Sequence, residues 1–183
     1  MALEEKKGLE SVGCEVTLLQ CAETLPDEVL KKMGAPPKPD DPIATADLLA
    51  EFDGILFGLS MRFGMASAQV KSLMDSTGGL WAGGKLIGKP AGVFFSTAQQ
   101  GGGQESGALT FVTQLAHHGM IFCPLGYSTP LLFNNDEMHG GSPYGAGTIA
   151  NGDGSRMPSD LEKKIAVHHG KHFGGIVAKL ASK

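Results

Sequence analysis

The chain has 183 residues, 42% of them hydrophobic and 19% charged, with a net charge of -4. That is the length and composition of one ordinary globular domain spanning 1–183, long enough to bury a full core. The absence of any Lys/Arg run, with the negative balance, argues against a nucleic-acid partner; no apolar run reaches membrane-spanning length, and Met1-Ala2-Leu3-Glu4-Glu5-Lys6-Lys7 is no secretory signal.

Leu3, Leu9 and Val12 spaced among charges predict a first helix that Gly13 ends. Val16 and Leu18 alternating with Glu15 and Thr17 predict a short strand over Glu15–Gln20. Pro36, Pro37, Pro39 and Pro42 mark residues 22–46 as an irregular connection with one helical turn near Asp27 to Met33. Thr45 to Phe52 reads as a capped helix. Ile55-Leu56-Phe57-Gly58-Leu59 is a continuous apolar strand, the pattern of burial on both faces of a parallel sheet.

A helix follows over Ser67–Thr77, with Val70, Leu73 and Met74 on one face, and Gly78-Gly79-Leu80-Trp81 ends it. Ala91 to Phe95 is the next strand. A polar loop, Ser96-Thr97-Ala98-Gln99-Gln100-Gly101-Gly102-Gly103, then leads into a helix from Ser106 to His117. Met120 to Pro124 is a further buried strand, and residues 125–158 form a long irregular excursion rich in Gly, Asn and Pro, of the kind that is functional or packs on a partner subunit. The last helix, Ser159 to Leu180, points Leu161, Ile165, Ile176, Val177 and Leu180 inward with Ser159 as N-cap. Helices alternating with apolar strands predict an α/β fold with a doubly wound parallel sheet in three layers.

Two loops leave consecutive strands on the same edge of that sheet. Met61-Arg62-Phe63 brings a planar cation and an aromatic ring; Ser96 to Gly103 brings hydroxyls, amides and glycine N–H donors. Consecutive glycines allow close backbone approach, and the following helix start adds free donors. In an open α/β sheet that edge is where ligands bind. Together the loops would hold a flat, polar-edged ring and stabilise negative charge developing on it.

Trp81 is equally readable as core or as a stacking residue; His117 and His118 read as helix-end charges, with contact to a ligand held by the preceding loop as the alternative for His117. His168 and His172 have the spacing of a two-ligand metal site but no third ligand is evident. There is no Gly-x-Ser-x-Gly elbow and no Walker lysine motif. Cys14, Cys21 and Cys123 are odd in number, lack metal or redox spacing and read as reduced thiols of a cytoplasmic protein.

Met61-Arg62-Phe63-Gly64, Asp75-Ser76-Thr77-Gly78-Gly79-Leu80-Trp81, Gly101-Gly102-Gly103-Gln104-Glu105, Leu115-Ala116-His117-His118-Gly119-Met120, Gly140 to Thr148 and Gly152-Asp153-Gly154-Ser155-Arg156 occur in this order. The set resembles the WrbA family of flavodoxin-like NAD(P)H:quinone oxidoreductases. The resemblance implies a strand order 2-1-3-4-5, bound FMN, a homotetramer, and ping-pong transfer of two electrons from NADH or NADPH to a quinone. It implies that Met61, Arg62 and Phe63 flank the flavin ring, that Ser96, Thr97, Ala98, Gln99, Gln100, Gly101 and Gly102 wrap its polar edge, that His117 faces flavin and substrate in the catalytic site, and that Trp81 stacks on quinone or nicotinamide.

Three departures stand out. Ser60-Met61 replaces the family's Pro-Thr, and the Gly-rich loop is about one residue longer than its common form. The family's opening strand and its phosphate-cradling loop have no counterpart here. Either the sequence is shorter than the working protein, or Glu15–Gln20 detaches and the sheet starts at Ile55; the intact remaining motifs favour the first. The rival expectation is a flavin-free family member acting as a regulatory or oligomer-forming module.

Overall fold

The computed structural model describes residues 1–181. Its centre is β3 (Pro90–Thr97), whose residues are nearly all buried because helices cover both faces of the sheet. Along one edge β3 pairs in parallel with β1 (Ile55–Arg62), in a register running from Ile55↔Ala91 to Ser60↔Ser96. Along the other edge it pairs in parallel with β4 (Ile121–Phe122) near its start and with β5 (Gly147–Ile149) near its end. A two-residue strand, β2 (Met65–Ala66), turns back antiparallel on the end of β1.

One face carries α3 (Ala46–Glu51), α4 (Ala68–Asp75), α5 (Gly78–Ala82) and α6 (Gln104–His117). Leu49, Phe57, Leu59, Met61, Val70, Met74, Phe111 and Leu115 make one apolar cluster there, with Phe57 and Phe111 edge to face at 5.1 Å. On the other face Leu161, Ile165 and Ala166 of α7 (Asp160–Ala181) pack with Leu125 and Ala146. The three-layer α/β sheet expected from the pattern is the observed architecture.

Helix α1 (Ala2–Glu10) lies on α7 with backbones nearly touching: a Cβ on Gly8 would stand 2.0 Å from the Val167 carbonyl oxygen, and one on Gly170 2.1 Å from that of Glu5. His169 Nδ1 meets Glu5 Oε1 at 3.0 Å in this contact, where both side chains are buried and burial pushes the Glu5 carboxyl up despite the histidine. Thr45 caps α3 by accepting from the Leu48 N–H, and Ser159 with Glu162 forms a reciprocal capping box on α7.

Several expectations are corrected. Glu15–Gln20 makes no strand ladder; its only bridge is Gln20↔Ile43. Residues 15–19 have no regular secondary structure and line, together with β1, a cleft of about 1240 Å³. Gly58 is therefore exposed and Ile55 and Leu56 only half-buried, where burial on both sides was expected. Ile176, Val177 and Leu180 are half-buried rather than core, and Val177 lines the same cleft. The excursion 125–158 is not wholly irregular, since it contributes a 3₁₀ turn (Pro130–Phe133) and β5. The strand at Met120–Pro124 pairs over only two residues. Trp81 sits in the short helix α5 rather than a turn. Asp27–Lys32 forms the expected helical turn, α2.

Candidate functional site

The two strand-end loops meet. Ser60 and Ser96 are partners in the sheet, so the segments after them leave the carboxyl edge side by side. A Cβ on Gly103 would lie 2.7 Å from Gly64 Cα, and the Ser106 hydroxyl donates to the Gly64 and Gly103 carbonyls. Phe63 turns the first loop with φ 51°, a left-handed conformation that costs a non-glycine residue about 1–2 kcal/mol. Such strain collects at ligand sites.

Met61 places only its backbone at this edge. Its side chain is buried under α6, where Gly107 leaves room for the sulfur. The exposed Arg62 folds back so that Nη1 donates to the Ser60 hydroxyl at 3.1 Å and the Met61 carbonyl at 3.0 Å, while Nη2 has no hydrogen-bond partner among the described residues. Phe63 is fully exposed.

In the second loop Ser96 is half-buried and Thr97 buried, while Ala98, Gln99, Gln100, Gly101 and Gly102 are exposed. Thr97 Oγ1 and the Gly102 N–H both donate to the Gln99 carbonyl. The N–H groups of Ala98 to Gly101 and of Gly103 have no backbone partner among the described residues and point no bond inward. Donors without backbone partners, in a loop that touches the one carrying Arg62, can face the electron-rich edge of a flat ring. The long cleft beside β1 ends here, at Ser60, Arg62, Ser96 and Thr148, and a smaller polar cavity of about 290 Å³ lies between Gln100 and residues 134–139.

His117 and Trp81 are not brought to these loops within the chain. His117 ends the 14-residue helix that the Gly-rich loop begins, so about 20 Å of helix separates them. It is exposed, as is Trp81 on α5, which packs on α3. The next residue, His118, is buried instead. Thr77 Oγ1 donates to the Met74 carbonyl, so His118 Nε2 donates to Thr77 Oγ1 at 2.8 Å and Nδ1 is left buried with no partner. Burial holds its pKa below the ordinary histidine value. His168 and His172 stack at 6.4 Å, and His168 Nε2 is engaged with Ser128 at 2.9 Å.

Sequence reasoning missed Gln104 and Glu162. Glu162, fully buried, accepts from the N–H groups of Gly140, Ile149 and Ser159, from Thr148 Oγ1 and from Arg156 Nη1. Burial alone would raise its pKa, but the backbone donors, the Thr148 hydroxyl and Arg156 outweigh it and hold the carboxyl low. An acid three residues after an N-cap serine was a legible signal; that it also gathers a distant loop was not.

Residues 1–129 match the family model described as NADPH-dependent FMN reductase. The chain belongs to that family. Over 98% of its length it is 59% identical to quinone-oxidoreductase QR2 of Triphysaria versicolor, covering 89% of that protein. It is 55% identical to the NAD(P)H quinone oxidoreductase PST3 of Candida albicans, over 98% of this chain and 91% of the relative. Among solved structures, the WrbA-like flavodoxin of Agrobacterium tumefaciens aligns with a TM-score of 0.54 at 21% identity, covering 73% of this FMN reductase family chain and 71% of the other. That likeness concerns the flavodoxin-like fold alone. Among the described residues no helix is long and apolar enough to cross a membrane.

Proposed function

We propose that this FMN reductase family chain is a WrbA-type NAD(P)H:quinone oxidoreductase that uses FMN and works by a ping-pong scheme. The observation carrying the reading is the contact of the 62–64 and 97–103 loops at Gly64 and Gly103, which joins the loop carrying Arg62 to one whose N–H groups have no backbone partner among the described residues. Relatives named as quinone oxidoreductases, at 50–59% identity, support the substrate class. Bound FMN supplies the two-electron chemistry, by which NAD(P)H, a proton and a quinone give NAD(P)⁺ and a hydroquinone.

The protein's own part is position and electrostatics. Backbone groups at Met61 and Phe63 and the Arg62 guanidinium would hold one side of the ring. Ser96, Thr97 and the N–H groups of residues 98–101 would face its polar edge, where negative charge develops on reduction. Trp81, exposed, would stack on quinone or nicotinamide.

His117 stands about a helix length from its own loop, so it would serve a ligand held by a second copy. The homotetramer we infer rests on that separation and on the exposure of Phe63, Met65 and Leu109 near the site. Three cysteines without disulfides support a reducing, cytoplasmic setting.

Protein purified with added FMN should be yellow, with the visible absorption of bound flavin, and should oxidise NADH in the presence of benzoquinone. A colourless, inactive protein at saturating FMN overturns the reading. It would leave the second one, a flavin-free binding module, which the open cleft along β1 favours.

A further inference from the structure

We infer that Gln104 is a positioning residue for the candidate ring site: its side-chain amide holds the Ser96–Gly103 loop in the shape that leaves the loop's N–H groups free. The inference rests on the flavin reading above and assigns this residue a part in it. Gln104 is the first residue of α6 and is half-buried. Its Nε2 donates to Thr97 Oγ1 at 3.0 Å and to the Thr148 carbonyl at 3.0 Å, while its Oε1 accepts from the Gly141 N–H at 2.8 Å. A carbonyl can only accept and an N–H only donate, so these two partners fix the orientation of the amide.

The consequences for the loop follow atom by atom. Thr97 Oγ1 has one proton and gives it to the Gln99 carbonyl, so it can receive Gln104 only as an acceptor. Pinning Thr97 pins the Gln99 carbonyl, which also takes the Gly102 N–H at 3.1 Å. With that carbonyl turned inward, the N–H groups of Gln100, Gly101 and Gly103 are left for a ligand. Two glycines clear the space: a Cβ on Gly102 would stand 2.8 Å from Thr97 Cβ, and one on Gly147 2.5 Å from Gln104 Oε1. Behind Gln104 the tie continues, since Thr148 Oγ1 donates to Glu162, which also takes the Gly140 N–H. The loop is therefore tied to α7 through Gln104, whose side chain touches Thr97 on one side and Gly141 and Thr148 on the other, beside the backbone bond from the Ala150 N–H to the Thr97 carbonyl.

Two variants separate positioning from simple structural support. Gln104→Leu removes the amide at similar size. Thr97→Val removes the loop-side acceptor together with the hydroxyl's bond to the Gln99 carbonyl, and leaves the bonds from Gln104 to Thr148 and Gly141 in place. Three quantities are measured in each: amide hydrogen exchange at Gly102 in FMN-free protein, the FMN Kd by quenching of flavin fluorescence, and Tm.

Both variants are expected to speed exchange of the Gly102 N–H, which is bonded to the Gln99 carbonyl, and to raise the FMN Kd about tenfold, the change expected from losing one hydrogen bond of this kind. Thr97→Val should do so with Tm nearly unchanged, and the double variant should bind FMN no worse than Thr97→Val, because that change already cuts the link from Gln104 to the loop. Should Gln104→Leu fail to fold, Thr97→Val decides. Exchange and Kd within twofold of the unaltered protein, or a fall in Tm without a change in Kd, overturns the inference while the flavin reading stands. An unaltered protein that binds no FMN overturns both.

Discussion

Replacing Glu162 by alanine should be among the most damaging single changes in the molecule. The carboxylate is fully buried and takes five donor groups: three backbone N–H groups, the Thr148 hydroxyl and Arg156 Nη1, the last at 3.0 and 2.9 Å from its two oxygens. Removing one partner of a buried ion pair costs about 3–5 kcal/mol. Each donor left without an acceptor would add about 1–3 kcal/mol if the loop stayed in place. The loop relaxes and reaches water, so the sum is not realised, and a net loss of about 4 kcal/mol is expected against a typical total of about 5–15 kcal/mol.

Urea unfolding at pH 7.5, followed by circular dichroism, measures the loss. Limited proteolysis should at the same time show new cleavage within 138–158. The acid limb supplies an internal check. Because the folded carboxyl titrates below its ordinary value, its contribution is present above about pH 4.5 and disappears as the pH falls through the folded pKa. The stability difference between the unaltered protein and Glu162→Ala should shrink over that range. A loss below about 1 kcal/mol at pH 7.5, the size of one ordinary exposed contact, would refute the claim that Glu162 holds this loop.

His118 titrates below the ordinary histidine value when folded, so stability should fall as pH drops through the range where the unfolded chain takes up the proton, near 6.5. His118→Gln keeps a donor for Thr77 and should flatten Tm between pH 7.5 and 5.5; an unchanged slope assigns the dependence elsewhere. Gly170→Ala drives a Cβ into the Glu5 carbonyl and should lower stability by about 1–3 kcal/mol in urea unfolding, through separation of α1 from α7. Trp81→Ala should leave Tm nearly unchanged, since the indole is 62% exposed, and should raise the KM for quinone; an unaltered KM returns Trp81 to the surface.

The alternation of apolar runs with helical stretches was enough to predict α/β layering, because a strand covered on both faces must be apolar at successive residues. Phe57, Leu59, Val93 and Phe95 carry that signal plainly. Local chemistry was equally readable where it is local: Thr45 and Ser159 as caps, Gly13 as a helix stop, and the strand-loop-helix order that sets the glycines of residues 101–103 at a helix start.

What the sequence could not reveal depends on contacts between residues far apart along it. Gly147-Thr148-Ile149 has no strand pattern of its own and becomes β5 only because β3 offers it a register at Phe95 to Thr97. Glu15–Gln20 has the alternation of a strand yet forms no ladder, since pairing needs a neighbour at hydrogen-bonding distance and residues 15–19 line a cleft together with β1. His117 and His118 are adjacent in sequence, but one helix turn's geometry exposes the first and buries the second against Thr77. Gln104 and Glu162 look like ordinary surface residues of two helices until the fold closes residues 140–149 over them. Periodicity determines which face of an element is apolar; only the tertiary structure decides which polar atoms that face will find.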